Sequence, residues 1–362
     1  STPKPSSAAS DVYKRQVSGG GELAIALAAG FPTERIFMHG NNKTPRELRE
    51  AIQAGVGRII IDSRIELKRI SEIAGELGVV QPIYMRITPG VEADTHQYIR
   101  TGCEDSKFGF TMRDDFAYGC VKDVLAAPNV RLAGLHCHIG SQIFALHSYP
   151  EAVEVMVELM ARIEEGYGYR IEELDVGGGL GIAYTADDKP ASIDEFAETV
   201  TSAVHAACEK FGVPEPRLLT EPGRSLVATA GVTLYTVGIL KTLPGIRKYV
   251  AVDGGMSDNI RTALYHADYE PVIANKAGQP RTEIVTIAGK HCESGDAVVI
   301  DMPMQHPDLG DIVAVFGTGA YCYTMASNYN GQPRPAIVFV KDGQARVTTR
   351  RETYEDLMSR DI

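Results

Sequence analysis

The stretch IEELDVGGGLG, residues 171–181, reads as a short strand entering a glycine-rich turn. Its neighbours decide the fold. Upstream, YPEAVEVMVELMARIEEG (149–166) spaces its apolar residues as a helix does. Downstream, SIDEFAETVTSAVHAACEKFG (192–212) opens on Ser192 with Glu195 three residues on, the pattern of a capping box. The alternation repeats in both directions. RIFMHG (35–40), RIIIDS (58–63), PIYMRITPG (82–90), RLAGLHCHIGS (131–141) and RLLTEPGR (217–224) read as strands. GGELAIALAAG (20–30), PRELREAIQAG (45–55), IELKRISEIAGELG (65–78) and DDFAYGCVKDVLAA (114–127) read as helices, and 91–112 is a long polar stretch. Short apolar strands separated by helices predict a parallel sheet with helical crossovers. Six strands fall between 35 and 221, whereas a closed (β/α)₈ barrel has eight. The first strand or two of such a barrel, before residue 17, are therefore expected to be missing.

The pattern changes after about residue 230. GVTLYTVGIL, KYVAVDGG, TEIVTIAGKHCESGDAVVID, DIVAVFG and RPAIVFVKDGQARVTTRRE are alternating or β-rich runs joined by Gly, Asp and Pro. Asp342-Gly343 is a hairpin signal. These runs predict an antiparallel β domain over 233–362, following a barrel over 17–232. Residues 1–16, STPKPSSAASDVYKRQ, are rich in Ser, Pro and Ala. They read as a disordered, non-native-looking extension, in composition like a tag or a sequence-assembly scar.

The 362 residues are 44% apolar and 23% charged, as in a soluble globular protein. A net charge of −11 argues against broad binding to nucleic acid or anionic membranes. The six cysteines, at 103, 120, 137, 208, 292 and 322, are scattered without a CxxC pair. They point to reduced thiols in a cytoplasm, neither a disulfide framework nor a zinc cluster. No apolar run reaches the ~18 residues of a membrane span.

In a parallel barrel the chemistry lies at the C-terminal ends of the strands. Those ends read HGNNK (39–43), DS (62–63), RITPG (86–90), HCHIGSQ (136–142), DVGGGLG (175–181) and EPGR (221–224). The glycines of GGGLG can offer several backbone N–H groups to an anion. A tight turn without a ligand explains them equally well. The dinucleotide fingerprint G-x-G-x-x-G fails, because Ile182 or Tyr184 stands where its last glycine belongs. His136 and His138 are read as facing opposite sides, one packed away and one toward the barrel mouth. Neither has partners at metal-ligand spacing, so no metal site is expected. Glu221 and Arg224 flank a fixed Pro-Gly turn, as a surface ion pair or as ligand contacts. HCESGD (291–296) and GTGAYCYTMASNYN (317–330) could be ordinary packed segments.

Taken together and in order, SGGGEL, HGNNK, GLHCHIGSQI, DVGGGLG, EPGR, VDGGMSDNIRTALY, GKHCESGD and GTGAYCYTMASNYN closely resemble the diaminopimelate decarboxylases. These are fold-type III pyridoxal-phosphate enzymes with an alanine-racemase-like barrel and a C-terminal β domain. The resemblance runs from about Val17 to Ile362. It implies decarboxylation of meso-2,6-diaminopimelate to L-lysine and CO₂, the last step of lysine biosynthesis, by a cytoplasmic homodimer whose active site is shared between subunits. By the same resemblance His138 stacks on the pyridoxal ring, and Ser141, Gly178, Gly179 and the Pro222-Gly223 turn hold the phosphate. Glu221 pairs with the pyridine nitrogen. Arg224, also counted among the cofactor contacts, joins Arg261 and Tyr265 on the substrate's distal carboxylate. Glu293 takes the distal ammonium, and Tyr321 reaches cofactor and substrate. Cys292, supplied by the neighbouring subunit, is the catalytic proton donor.

One motif of the family has no counterpart. Its Schiff-base lysine lies on the first barrel strand, in a Tyr-Ala-x-Lys-type segment. Here Lys4 and Lys14 are the only lysines before SGGGEL, in TPKPS and VYKRQ, which are not buried-strand sequences. The expectation is a chain without its covalent anchor, holding the cofactor through phosphate and ring contacts alone. Two other readings stay open. One is a decarboxylase of the same fold acting on ornithine, arginine or carboxynorspermidine. The other is a non-catalytic pyridoxal-phosphate-binding homologue.

Overall fold

The computed structural model describes residues 13–91 and 106–362. The chain divides into two units, Ser1–Leu180 with Ala191–Pro222, and Gly181–Pro190 with Gly223–Ile362. The division comes earlier than the expected 232/233. It also assigns the loop after the glycine turn to the second unit.

The first unit alternates strands and helices: β1 (Arg15–Val17), α1 (Gly20–Ala28), β2 (Ile36–Met38), α2 (Pro45–Ala54), β3 (Arg58–Ile61), α3 (Arg64–Glu76), β4 (Gln81–Thr88), β5 (Phe110–Thr111), α4 (Phe116–Ala126), β6 (Val130–His136), α5 (Ser148–Tyr167), β7 (Glu173–Asp175), α6 (Ile193–Phe211) and β8 (Arg217–Leu219). The sheet order is β1-β2-β3-β4-β6-β7-β8, with the short β5 on β4. Every pairing in it is parallel. The six strands read from the sequence are all present. Their buried runs, Ile36-Phe37-Met38 and Ile59-Ile60-Ile61 among them, are what a sheet covered on both faces requires.

The helices begin and end where the local chemistry dictates. Thr44 caps α2 in a capping box with Glu47, Pro45 stands in the first turn, and Gly55 closes it at φ 73°. Leu48, Ala51 and Ile52 form its buried face at the spacing of one helix side. Ser192 and Glu195 form the expected box on α6. Residues 1–12 of the expected extension lie outside the described residues, but residues 13–16 correct that expectation. β1 pairs with β2, Val17 opposite Met38, and Lys14 is only 7% exposed.

The second unit holds α7 (Gly223–Val227), β9 (Val232–Leu243), β10 (Arg247–Val252), α8 (Arg261–Tyr265), β11 (Pro271–Ile273), β12 (Glu283–Ala288), β13 (Ala297–Met304), β14 (Ile312–Phe316), β15 (Ile337–Lys341), β16 (Gln344–Thr349) and α9 (Tyr354–Met358). Its main sheet runs β11-β14-β9-β10-β12-β13. It is not purely antiparallel as expected, because β10 and β12 pair in parallel; α8 and β11 lie on the connection between them, which a simple hairpin could not make. β15 and β16 form the expected hairpin, with Asp342 and Gly343 both at positive φ, 51° and 73°, as a type I′ turn needs. Its core is built on Tyr235, Val250, Ile287, Val298 and Val313.

Candidate active site

The strands of the first unit deliver their polar residues at their C-terminal ends, as a parallel barrel does. His39 follows β2, Asp62 follows β3, Arg86 lies near the end of β4, His136 and Asp175 end β6 and β7, and Glu221 follows β8. Glu221 is the centre. Its Oε1 lies 3.0 Å from His39 Nε2, its Oε2 lies 3.2 Å from His136 Nε2, and the Lys14 ammonium donates to Oε1 at 2.7 Å. Lys14 also pairs with Asp175.

Burial alone would raise the Glu221 carboxyl pKa. His39 and the Lys14 charge outweigh it and hold the group well below the usual carboxylate range. Burial likewise disfavours the Lys14 ammonium, and Asp175 and Glu221 outweigh it, so its pKa is raised. Asp175 goes the other way: burial and the Glu221 charge lift it above the usual range. Burial pushes His136 down to about 4 and His138 to about 3, so both rings are neutral near pH 7. His39 is lowered for the same reason. His39, His136 and Glu221 place three donor atoms within 4.8 Å of one another, as a small cation would need. Lys14 already bonds the same carboxylate, and the trio serves to hold it ionised.

Residues two apart along a strand share a face, so the alternation itself does not turn His136 and His138 to opposite sides. His136 ends β6 and is buried, and His138 follows the strand, partly buried. His138 Nδ1 accepts the Gly178 N–H at 3.2 Å. The glycine turn is needed sterically. A Cβ on Gly178 would lie 2.0 Å from the Glu221 carbonyl oxygen, and one on Gly179, at φ 113°, would lie 2.5 Å from that of Gly140. The turn is tied down by Tyr149, whose hydroxyl donates to Gly178 O at 3.0 Å, and by Ile143 N–H to Gly179 O at 2.8 Å. That second bond brings the loop carrying Ser141 beside the turn. Three buried atoms, His39 Nδ1, His136 Nδ1 and Asp62 Oδ1, have no hydrogen-bond partner among the described residues.

The second unit carries the other expected residues. Arg224 and Arg261 are both buried. Arg261 Nη1 donates to the Tyr269 hydroxyl at 2.7 Å, and its Nε is buried without an acceptor. The Arg224 guanidinium lies 4.7 Å from the Tyr321 ring, and its Nη1 donates to the Tyr184 hydroxyl at 2.6 Å. Tyr265 ends α8 and is partly buried. Tyr321 is 44% exposed at φ 60°.

Cys292 and Glu293 are exposed. Cys292 is held by its backbone N–H on Asn330 Oδ1 at 2.9 Å, and the preceding His291 is buried against Asp296, with Nδ1 at 2.8 Å. The thiols of Cys120, Cys137, Cys208, Cys292 and Cys322 are free, and Cys103 lies outside the described residues.

Several participants were not singled out from sequence. VYKRQ gives Lys14 a polar setting, Tyr184 stands only where a fingerprint glycine would belong, and Asn330 has no signal of its own. HGNNK stands at a strand end, but nothing in it marks His39 as a partner of Glu221.

Residues 14–228 match the family model described as "Pyridoxal-dependent decarboxylase, pyridoxal binding domain". The chain is 48% identical to the diaminopimelate decarboxylase of Bacillus subtilis over 346 residues, covering 96% of this chain and 79% of that one. It is 46% identical to that of Mycobacterium leprae over 356 residues, covering 96% and 75%. Among solved structures, the diaminopimelate decarboxylase of M. jannaschii in complex with L-lysine superposes at a TM-score of 0.88 with 36% identity, over 96% of this chain and 79% of that one. The Helicobacter pylori enzyme complexed with L-lysine gives 0.86 and 30%, over 96% and 83%.

The first unit's donor set fits pyridoxal phosphate. The glycine turn leaves backbone room for a phosphate. An ionised, buried carboxylate suits a protonated ring nitrogen. The His39 and His136 imidazoles, each with a buried nitrogen that has no hydrogen-bond partner among the described residues, suit the rest of the ring.

Proposed function

The chain belongs to the diaminopimelate decarboxylase family, and we propose on that footing that it removes one carboxyl group of meso-2,6-diaminopimelate as CO₂ and leaves L-lysine. The observation that carries this is Glu221, a buried carboxylate kept ionised at the end of β8, beside a glycine turn where no side chain fits.

Pyridoxal phosphate, when bound, supplies the electron sink that makes loss of CO₂ feasible. Glu221 would hold the ring nitrogen protonated, and neutral His138 would pack on the ring. Gly178, Gly179, Ser141 and the Pro222-Gly223 turn would hold the phosphate. Arg224 and Arg261, with Tyr265, take the distal carboxylate, for which a guanidinium fork is suited. Arg261 supports this role by keeping a buried Nε in reserve. Glu293 takes the distal ammonium, and Tyr321 lies along the substrate. The Cys292 thiol would be the proton donor to the substrate carbon that loses CO₂, leaving a thiolate. Cys292 is exposed in the single chain, which agrees with its use by a second copy in a homodimer. Among the described residues no helix is long and apolar enough to cross a membrane.

Lys14 is not assigned as a covalent anchor, because a lysine paired with two carboxylates is an ammonium and a poor nucleophile. The test is to incubate the chain with pyridoxal phosphate and meso-2,6-diaminopimelate, ornithine or arginine in turn, and to measure CO₂ and lysine. Borohydride reduction and peptide mapping follow. Lysine formed from diaminopimelate alone is expected from any active sample, with no label on Lys14. Release of CO₂ from ornithine or arginine, or a reduced adduct on Lys14, overturns the corresponding part.

A further inference from the structure

We propose that Tyr184 is a positioning residue that sets the two guanidiniums of the distal-carboxylate site and thereby its selectivity for substrates bearing that carboxylate. The inference rests on the reading of Arg224 and Arg261 given above.

Tyr184 lies in 181–190, the short segment that belongs to the second unit although first-unit strand and helix flank it in sequence. Its own backbone is fixed: the N–H groups of Tyr184 and Thr185 both donate to Asp188 Oδ2, at 2.8 and 2.9 Å. The Ala186 N–H donates to Glu270 Oε1 at 2.6 Å. The ring is fixed too. A Cβ on Gly317, which sits at φ 73°, would come within 3.0 Å of it, and Tyr269 meets it edge-on at 5.1 Å and 78°. The tyrosine is therefore a rigid post.

Both arginines use this post. Arg224 Nη1 donates to its hydroxyl at 2.6 Å, and the Arg261 guanidinium lies 4.8 Å from its ring centroid. Arg261 is 4% exposed, and burial opposes its charge. The neighbours that favour that charge are Tyr269, Tyr184 and Cys322. Two like charges held near one another gain from a π face and a hydroxyl oxygen. Held in this way, both guanidiniums present a fixed direction to an incoming carboxylate. A substrate ending in hydrogen in place of the carboxylate would forgo the charge-assisted contacts to both forks. The hydroxyl fixes the direction of the Arg224 fork and the ring supports that of Arg261.

The test uses the full chain and two probes, pimelate, the diacid without amines, and 1,5-diaminopentane, the diamine without carboxylates. Binding is measured by titration calorimetry, with a thermal melt on every variant. Pimelate binding should weaken roughly tenfold in Tyr184→Phe, the loss of one charge-assisted hydrogen bond, and further in Tyr184→Leu, while diaminopentane binding and the melt of Tyr184→Phe stay at wild type. Arg261→Met should abolish pimelate binding. If Arg261→Met removes it and Tyr184→Phe binds like wild type, the role of Tyr184 is overturned and the carboxylate site stands. If both probes weaken together in Tyr184→Phe, the residue is merely structural. If pimelate fails to bind wild type, or binds Arg261→Met unchanged, the carboxylate reading falls and the role of Tyr184 with it.

Discussion

The Lys14 ammonium lies 2.7 Å from the Glu221 carboxylate, joining the residue just before β1 to the residue that follows β8 by two positions. Lys14 also pairs with Asp175 and lies 4.7 Å from the Phe37 ring. Removing one partner of a buried pair leaves the others uncompensated, at about 3–5 kcal/mol. Lys14→Met should therefore lower the stability of the cofactor-free chain by that order at pH 7. Pyridoxal phosphate should restore part of the loss by giving Glu221 a new partner and by binding only the native state. A urea melt with and without cofactor measures both effects, and an unchanged midpoint in Lys14→Met would remove the ammonium from the account. Because the Lys14 pKa is raised, its contribution is complete below the free-lysine value of 10.5 and fades as pH climbs through the higher native one.

Acid should weaken the first unit. His136 titrates near 6.5 when unfolded and about 4 when native, and His138 at about 3. Between those values the unfolded chain binds protons that the native chain refuses, so stability falls as pH drops below about 6.5. For His136 alone the loss from pH 7 to pH 5 is about 2 kcal/mol. Glu221, depressed in the native state, adds a loss below its ordinary range. Asp175, raised, offsets part of it, because the native state takes up its proton first. Urea midpoints at pH 7 and pH 5 test this; His136→Asn should flatten the dependence. Equal slopes in wild type and variant would mean another group controls it.

What could be read beforehand follows the range of the forces involved. The Ser192 box, the Asp342-Gly343 hairpin and the buried run Ile59–Ile61 are set by residues within a few positions of one another, and all stand in the sequence. Lys14 is the opposite case. VYKRQ is polar by any local measure, and its lysine is buried only because carboxylates 161 and 207 positions away receive it. His39 and His136 meet on Glu221 for the same long-range reason. The parallel pairing of β10 with β12 is likewise invisible to strand pattern, since both partners alternate alike in either direction. Tyr184 sits in a loop without periodicity. The order of motifs exposed the expected site residues; only three-dimensional placement shows which groups hold them.

Gly178→Ala should separate cofactor binding from folding. The added Cβ would meet the Glu221 carbonyl oxygen at 2.0 Å and its carbon at 2.6 Å. Backbone atoms cannot rotate away, so the turns after β7 and β8 must part. Pyridoxal-phosphate binding, followed by equilibrium dialysis, should weaken by at least roughly tenfold, about 1.4 kcal/mol. Gly119→Ala, in α4 away from the site, is the control, since nothing lies within 4 Å of a Cβ there. Equal effects from the two substitutions would mean that the steric need at 178 is irrelevant to the cofactor.

A second polar cluster stabilises the first unit without touching the candidate site. Glu173, at the start of β7, accepts from Arg58 Nε and Nη2 at 2.8 and 2.9 Å and from the Tyr84 hydroxyl at 2.6 Å. Tyr84 belongs to an apolar cluster with Phe37, Ile60, Ala133 and Leu219. Phe37 meets it edge-on at 5.6 Å. The carboxylate thus links β3, β4 and β7 through that cluster. Tyr84→Phe removes one of three donors and should cost about 1–2 kcal/mol. Glu173→Leu strands the Arg58 guanidinium and a buried hydroxyl and should cost about 3–5 kcal/mol. Adding Arg58→Met to Glu173→Leu should recover much of that loss, because the unmatched charge goes with it. Urea midpoints of the two single variants and the double variant decide the matter: a double variant as unstable as the sum of its parts would show that the carboxylate and the guanidinium act independently.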